Sequence, residues 1–316
     1  MKKRADFNFV WLFAIIAGTS ILVLMIYAAV RTGKTITTYQ DTDLAKQVIS
    51  YLDPFQAGSV AALKGTFSSK REIVFESSCD STNFGYQTLA AKQIRDLNED
   101  FNVFGEEITI KNKYVYFSKK PSKNFYVFSV PISFAFEVGD ALIVGSEEFC
   151  FLEGYENIPY FKNTLSNIGA KVFFDEANCT ENSIRVCFNY GADCDIQVIG
   201  DCSDSSWCDH EYETGQVIKD GESLEYVGNL IYPALFSDKE NYDCNLKRFF
   251  YKNGMLSLIY VEKSDRMSSR NCPTDLTEEL SSFSQLSFNN PNLKELYKQG
   301  KLIKEKEGRT LCHLWS

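Results

Sequence analysis

Residue types that bind metals or form disulfides are concentrated in one stretch, VCFNYGADCDIQVIGDCSDSSWCDH, at residues 186–210. It contains Cys187, Cys194, Cys202 and Cys208, together with five aspartates and His210, one of the two histidines of the chain. Thiolates and imidazole are zinc ligands, carboxylates suit calcium, and pairs of thiols form disulfides in oxidising compartments. The spacing of the residues must therefore distinguish three kinds of site.

The spacing favours disulfides over a metal. Structural zinc sites usually contain cysteine pairs only two to four residues apart, and the cysteines here are farther apart. An EF-hand calcium loop that begins at Asp201 would need glycine where Ser206 stands, and its twelfth position is Tyr212. We expect a disulfide-stapled loop, with an irregular calcium loop and a zinc site as the alternatives. No metal or other cofactor is expected.

The other cysteines extend the same prediction to most of the chain. The first 78 residues contain none, and an even number of cysteines indicates a disulfide framework outside the cytoplasm. The ten expected disulfide residues are Cys79, Cys150, Cys179, Cys187, Cys194, Cys202, Cys208, Cys244, Cys272 and Cys312. If one helix continues to about residue 263, Cys244 and Cys272 stand about 35–40 Å apart and cannot pair. A break at Asn253-Gly254 would permit that pair. We favour Cys272 with Cys312.

No catalytic constellation is apparent in the sequence. Only His210 and His313 are available as histidine bases, and cysteines oxidised in pairs cannot act as nucleophiles. Sequence patterns of serine hydrolases, zinc proteases and P-loop enzymes are absent. We expect a non-catalytic protein, and an extracytoplasmic enzyme of unknown type is an alternative. Asn178-Cys-Thr180 is the only N-glycosylation triplet in the chain, and Asn178 is its expected acceptor.

The residues before this cysteine-rich part predict a membrane anchor. FVWLFAIIAGTSILVLMIYAAV, residues 9–30, carries no charge, and as a helix it would be about 33 Å long, enough to cross a bilayer. A cleaved secretory signal is the main rival, although its apolar region is usually shorter. Lys2, Lys3 and Arg4 precede the run, so the positive-inside rule places the N-terminus in the cytoplasm. The bulk of the chain is then extracytoplasmic.

Composition and charge limit the partners. Hydrophobic residues make up 44% of the chain and charged residues 24%, which is typical of a folded protein. The net charge is −9, and residues 1–34 hold five basic side chains and one acidic, so the remainder carries −13. This field disfavours nucleic acid. The expected partners are the membrane, through residues 9–30, and other proteins at the cell surface.

The order of elements predicts an α+β fold with a disulfide-stapled ectodomain, because strands come first and helices follow. We expect a basic cytoplasmic tail at residues 1–8, a transmembrane helix at 9–30, a juxtamembrane helix and stalk at 31–60, and an extracytoplasmic domain at 61–316. Sub-boundaries are possible near residues 155 and 220. Residues 58–70 resemble a loop, and Pro131 indicates a strand edge or bulge.

Periodicity indicates the individual elements. The expected strands are Ile73–Phe75, Ile108–Ile110, Tyr114–Phe117, Phe125–Ile132, Leu142–Val144, Lys171–Phe174, Ile184–Phe188 and Ile196–Ile199. The expected hairpin turns are Asn112-Lys113 and Lys119–Asn124, and Gly191–Cys194 is expected to turn one strand into the next. The expected helices are Asp43–Leu52, Leu89–Leu97, Ile158–Ile168, Glu222–Phe236, a helix capped by Ser237 and Glu240, Leu276–Leu286 capped by Asp275 and Glu278, and Leu293–Lys306.

Four segments together resemble single-pass membrane proteins of small-genome archaea: FNFVWLFAIIAG, FYVFSVPISFAFEVGDALIV followed by EEFCF, VCFNYGADCDIQVIGD and LFSDKENYDCNLKRFF. The resemblance implies an archaeal surface protein and supplies no site residue. Lys3-Arg4-Ala5 before the apolar run also resembles the processing site of archaeal type IV pilins. That likeness implies cleavage after Ala5 and assembly into a filament through the apolar helix, which is the alternative to a simple anchor.

Overall fold

The fold is α+β, with a long apolar N-terminal helix, a strand-rich middle and helices at the C-terminal end. The computed structural model describes residues 9–56, 64–95, 103–152, 154–158, 161–166, 168, 171–188, 194–201, 212–270, 272, 274–289, 292–310 and 312–315. This arrangement confirms the predicted fold class at the level of its helices and strands.

Helix α1 spans Phe9–Leu52, 44 residues that extend about 66 Å. Within the described residues it is the one helix long and apolar enough to cross a membrane. Residues 31–42 join the apolar run to the predicted helix at Asp43–Leu52 without a break. Threonine hydroxyls along this joint, among them Thr38, donate to carbonyls one turn earlier. A short 3-10 turn, Asp53–Gln56, follows.

The first sheet is curled until its two edges approach each other. Its strands are β1 (Lys64–Asp80), β2 (Tyr86–Gln93), β3 (Ile108–Lys111), β4 (Tyr114–Phe117), β5 (Ser122–Ser133) and β6 (Glu137–Gly145), in the order β3-β2-β1-β5-β6-β4. All neighbours are antiparallel except β4 and β6. β3 and β4 are the two edge strands, yet only Asn112 and Lys113 separate them in the chain. A connection this short requires the sheet to close on itself.

Four predictions for this sheet were wrong. Residues 89–95 of the predicted helix Leu89–Leu97 are not helical, because β2 pairs on both sides and this pairing overrides the helix propensity of its alanines. Residues 96–97 lie outside the described residues. Residues 64–70 are strand, not loop. Asn112-Lys113 and Lys119–Asn124 connect strands that do not pair with each other, so neither is a hairpin turn. Pro131 lies in β5 beside the irregularity after Ile132, as predicted for a bulge.

The second sheet contains β7 (Phe149–Phe151), β8 (Val172–Phe173), β9 (Ile184–Phe188), β10 (Ile196–Gly200), β11 (Thr214–Lys219) and β12 (Glu222–Val227), in the order β12-β11-β10-β9-β7-β8. β8, β7, β9 and β10 are parallel neighbours. The predicted turn at Gly191–Cys194 lies outside the described residues except for Cys194. β11 and β12 form a hairpin where the sequence predicted a helix from Glu222. Asp220 and Gly221 both have positive φ, which suits a tight hairpin turn.

The remaining helices are α2 (Phe161–Leu165), α3 (Ile231–Phe236), α4 (Lys239–Ser268), α5 (Thr277–Phe288) and α6 (Leu293–Glu307). α2 is shorter than predicted, because Ile158, at the end of a 3-10 turn over Tyr155–Asn157, has an extended backbone and the helix begins only at Phe161. Asp238, not Ser237, caps α4, and its carboxylate accepts from the Asn241 amide at 2.9 Å. Leu276 is the N-cap of α5 and makes no side-chain cap bond, so the predicted capping box there was wrong.

Helix α4 continues through Asn253-Gly254. Gly254 brings it close to α5, since an added Cβ would lie 2.7 Å from the Phe288 ring. Asn253 is buried and its Nδ2 donates to Ser287 Oγ at 2.8 Å. Asn253 and Gly254, which locally favour a helix break, therefore form the contact between α4 and α5.

The chain has two apolar cores. One lies inside the curled sheet and includes Ala45, Val48 and Leu52 from the end of α1. The larger core joins the outer face of this sheet to the second sheet and to α3–α6, with many aromatic side chains, among them Phe128 and Phe249. The end of α1 is thus a core element of the folded part, whereas its apolar beginning is exposed.

Candidate functional site

The junction between α1 and the curled sheet is fixed by buried polar contacts. Asp41 is fully buried, and its two carboxylate oxygens accept from the Arg95 guanidinium at 2.7 and 2.8 Å. Thr42 Oγ1 accepts from the Glu106 amide at 2.7 Å. Gly105 lies so close that an added Cβ would be 2.4 Å from the Thr42 nitrogen. The helix is therefore held in one orientation at the point where it enters the folded part.

A second polar cluster closes the seam of the curled sheet. The Gln87 side chain on β2 accepts from the Val115 amide at 2.8 Å and donates to the Val115 carbonyl at 2.7 Å. Its amide therefore replaces a backbone peptide group across the gap between β2 and β4. Gln87 is fully buried, so these two bonds satisfy backbone groups of β4 that water cannot reach.

Arg248 of α4 covers this seam. It donates to Asn245 Oδ1 at 2.7 Å and to the carbonyls of Lys113 and Phe84, each at 3.0 Å. Its guanidinium lies 4.7 Å from the centre of the Tyr114 ring. Burial lowers the pKa of Arg248 and raises the pKa of Tyr114 to about 12. The arrangement holds α4 on the seam through carbonyls and an aromatic ring.

A cleft of about 400 Å³ lies between the two sheets, next to the start of α4. This volume is within the range of small-molecule sites. Its polar lining is largely bonded internally: Ser118 Oγ donates to Glu147 Oε1 at 2.7 Å, and Lys119 pairs with Asp238 at 3.0 Å. The cleft is large enough for a small ligand, although several of its polar lining groups already have partners in the protein.

Lys219 forms one wall of the cleft and caps helix α3. Its ammonium donates to the carbonyls of Ala234 at 2.6 Å, Leu235 at 3.1 Å and Ser237. Cations stabilise the carbonyl end of a helix. Burial lowers the pKa of Lys219 to about 8. The group is therefore engaged in structure, and its proton is removed more easily than that of an ordinary lysine.

The structure pairs eight of the ten predicted cysteines. The pairs are Cys79–Cys244, Cys150–Cys179, Cys187–Cys194 and Cys272–Cys312, with Cα–Cα distances of 6.2, 5.7, 5.9 and 5.9 Å. These distances suit disulfides. Cys272–Cys312 is the pairing favoured from the sequence, and the unbroken α4 keeps Cys244 and Cys272 with separate partners. Cys202, Cys208 and His210 lie outside the described residues.

The remaining predicted residues are separated from each other. Asn178 is exposed at the end of a 3-10 turn, Glu176–Asn178. His313 Nδ1 lies 3.2 Å from Glu307 Oε1, which also accepts from the Leu314 amide. Over the part of the chain that the structure describes, no three His, Cys, Asp or Glu side chains are grouped to hold a metal.

Comparisons of the chain with protein-family models, curated proteins and solved structures found no match. Sequence reasoning missed the Asp41–Arg95 pair, the Gln87 bridge and the Lys219 cap, because no local pattern links residues so far apart in the chain. The one local signal was the pair of aspartates, Asp41 and Asp43, in a helix with an apolar beginning.

Proposed function

We propose that the protein is anchored in a membrane by α1 and presents its folded part outside the cytoplasm, in a non-catalytic binding or assembly role at the cell surface. The observation that carries this proposal is the change in burial along α1. Its apolar 18-residue window has no buried part, while its last turns lie in the core of the curled sheet. An exposed apolar helix of this length is stable in a bilayer and costly in water.

Charge and cysteine chemistry support the orientation. Arg31 and Lys34 follow the apolar run, but the three basic residues before it favour a cytoplasmic N-terminus. Four disulfide pairs fit an oxidising compartment on the other side. The resemblance to archaeal single-pass proteins fits a surface location as well.

The continuous helix implies a fixed distance between membrane and folded part. Asp41 lies eleven positions after Val30, which is about 16 Å of helix. Because Asp41 is locked to Arg95, the folded part cannot pivot on a flexible linker. A rigid support of this kind suits a protein that presents a binding surface, or packs beside neighbours, at a set height above the bilayer.

A non-catalytic role is supported because the side chains that could act as nucleophile or base already have partners within the protein. The eight described cysteines are paired, so none of them offers a thiolate nucleophile. The lowered pKa of Lys219 suits a general base, but its ammonium already donates to three backbone carbonyls. The cleft between the sheets is accordingly proposed as a binding site of the same surface protein.

Membrane fractionation and protease accessibility test the proposal on the full chain. The L22R/L24R variant places two charges in the apolar run and should shift the protein out of the membrane fraction, since each charge at a bilayer centre costs about 2.5–3.5 kcal/mol. The T37R/Y39R variant carries the same charges in the polar part of α1 and should stay in the membrane. Protease added to intact cells should degrade the folded part of the wild type. Resistance to protease would contradict the location of the folded part outside the cytoplasm, and equal fractionation of both variants would contradict the anchor.

A pilin-like filament subunit is the second candidate. One observation favours it: the same helix is exposed at its apolar beginning and packed inside a curled sheet at its end, so copies could associate through the exposed part without rearranging the fold. N-terminal sequencing of the native protein, together with electron microscopy of the cell surface, separates the two candidates. A chain that begins at Asp6 and forms filaments supports a pilin, and an intact N-terminus without filaments excludes it.

A further inference from the structure

The glycosylation triplet Asn178-Cys179-Thr180 occupies an exposed edge of the second sheet. The Asn178 side chain points to solvent at the end of the 3-10 turn, and its Nδ2 donates to Asp175 Oδ2 at 3.2 Å. The middle residue, Cys179, is bonded to Cys150 on β7, and Cys150 is fully buried. Thr180 Oγ1 bonds to Glu148 Oε2 and to Ser183 Oγ, each at 2.9 Å. The acceptor and the disulfide therefore belong to one small structure.

We propose that Asn178 carries an N-linked glycan and that the glycan is added before the Cys150–Cys179 disulfide closes. The inference rests on the proposed function, because N-glycosylation needs the folded part outside the cytoplasm. The ligand class is a polyprenyl-diphosphate-linked oligosaccharide. The bond from Asn178 Nδ2 to the anomeric carbon forms, the bond from that carbon to the phosphate oxygen breaks, polyprenyl diphosphate leaves, and one Nδ2 proton goes to a base of the transferase.

The order follows from the contacts of the folded triplet. A transferase that recognises N-x-[ST] must bind the asparagine amide and the hydroxyl two residues later together. In the folded chain the Thr180 hydroxyl is engaged by Glu148 and Ser183, and the disulfide prevents the triplet from leaving the surface. Only the open, reduced segment can enter an active site in an extended form.

The folded structure tolerates the product. An asparagine amide has two N–H groups, and glycosylation replaces one of them. The other can still donate to Asp175, so the turn keeps its hydrogen bond. Asn178 and its neighbours Glu176 and Ala177 are exposed, which leaves room for a bulky sugar on the solvent side.

An in vitro transfer assay tests both parts of the inference. The full chain is produced, oxidised, in a host without N-glycosylation, and is incubated in detergent with an oligosaccharyltransferase and a lipid-linked oligosaccharide. Mass spectrometry then measures the modified fraction of the Asn178 peptide. We expect at least a tenfold higher fraction in C150A, and in C179A, which keeps the triplet as N-A-T, than in the oxidised wild type. N178Q should remain unmodified.

C272A is the matched control, because it also removes a disulfide but leaves the triplet tied. It should behave as the oxidised wild type does. Equal modification of the oxidised wild type and C150A would overturn the proposed order, as would an increase in C272A as large as in C150A. Absence of modification in C150A, C179A and the reduced wild type would overturn the site itself. Because the assay does not depend on membrane topology, its failure is distinct from failure of the anchor tests.

Discussion

Asp41 and Arg95 form a two-point ion pair that joins the N-terminal helix to the end of β2, and the two side chains are 0% and 4% exposed. The pair lies where the exposed part of α1 ends and its buried part begins, in the core of the curled sheet. Buried charges are tolerated only when each has its partner. The pair therefore makes the orientation of the helix part of the fold.

Removal of one partner should be costly. D41N, which takes away the carboxylate but leaves Arg95, should lower the free energy of unfolding by about 3–5 kcal/mol, because a buried guanidinium loses its counter-charge. Chemical denaturation of the detergent-solubilised chain measures this loss. D243N is a control, since Asp243 pairs with Lys239 at the surface and such pairs contribute about 0–1 kcal/mol. A similar small effect for D41N would show that the junction is open to water.

The Gln87 bridge makes a second prediction. Q87L keeps an apolar stem of similar size but leaves the Val115 amide without its side-chain acceptor, so it should cost about 1–3 kcal/mol for this one buried group. The Val115 carbonyl loses the Gln87 donor but keeps Asn241 Nδ2 at 3.3 Å. Denaturant unfolding measures the loss, and hydrogen exchange should show faster exchange in β4 alone. Gln299, which bonds Glu295 at the surface, gives the matched control Q299L with little effect. Unchanged protection of the Val115 amide in Q87L would contradict the bridge.

Lys219 should make stability depend on pH. Its pKa in the folded chain is lowered from 10.5 to about 8 by burial, so the unfolded chain binds more protons between these values and the free energy of unfolding rises with pH there. The rise should be at most about 3.4 kcal/mol, because each pKa unit corresponds to about 1.36 kcal/mol. Below pH 8 both states are charged, and the cost of burying the ammonium is fully present.

Unfolding curves of the wild type and K219M at a series of pH values isolate this contribution, since the variant keeps the aliphatic stem but lacks the ammonium. We expect the difference between them to change across the window from 8 to 10.5. K120M, at an exposed lysine of the same cleft, should retain the wild-type pH dependence. Parallel curves for wild type and K219M would mean that the ammonium is solvated.

The disulfides should differ in their contribution. Cys79–Cys244 spans 165 residues and Cys187–Cys194 only 7, so the chain-entropy relation gives about 5 kcal/mol for the first and about 2.5 kcal/mol for the second. Other bridges lie inside the long loop and reduce the first figure somewhat. Thermal unfolding of C79A/C244A and C187A/C194A should preserve this rank. The reverse rank would show that residual structure in the unfolded chain, not loop length, decides.

Local patterns in the sequence were sufficient for several elements. Tyr114–Phe117 and Ile184–Phe188 are strands with the predicted bounds, because continuous or alternating apolar residues over a few positions identify a buried strand. The hairpin at Asp220-Gly221 was also readable in principle, since that dipeptide between two alternating runs is a strong turn signal. The predicted helix from Glu222 was wrong because the helical pattern of the C-terminal third does not reach back to β12.

The sequence by itself determined the apolar beginning of α1, the α+β order of elements and the restriction of cysteine to the part after residue 78, because each depends on composition or short-range period. Only the tertiary structure decided that Leu89 lies in a strand, that Asn112 and Lys113 join opposite edges of a curled sheet, and that Asp41 finds Arg95. These outcomes depend on which distant segments pair. The local sequence pattern does not show which distant segment a strand pairs with. The free energy of that pairing exceeds the small differences in helix and strand propensity on which the local predictions depend.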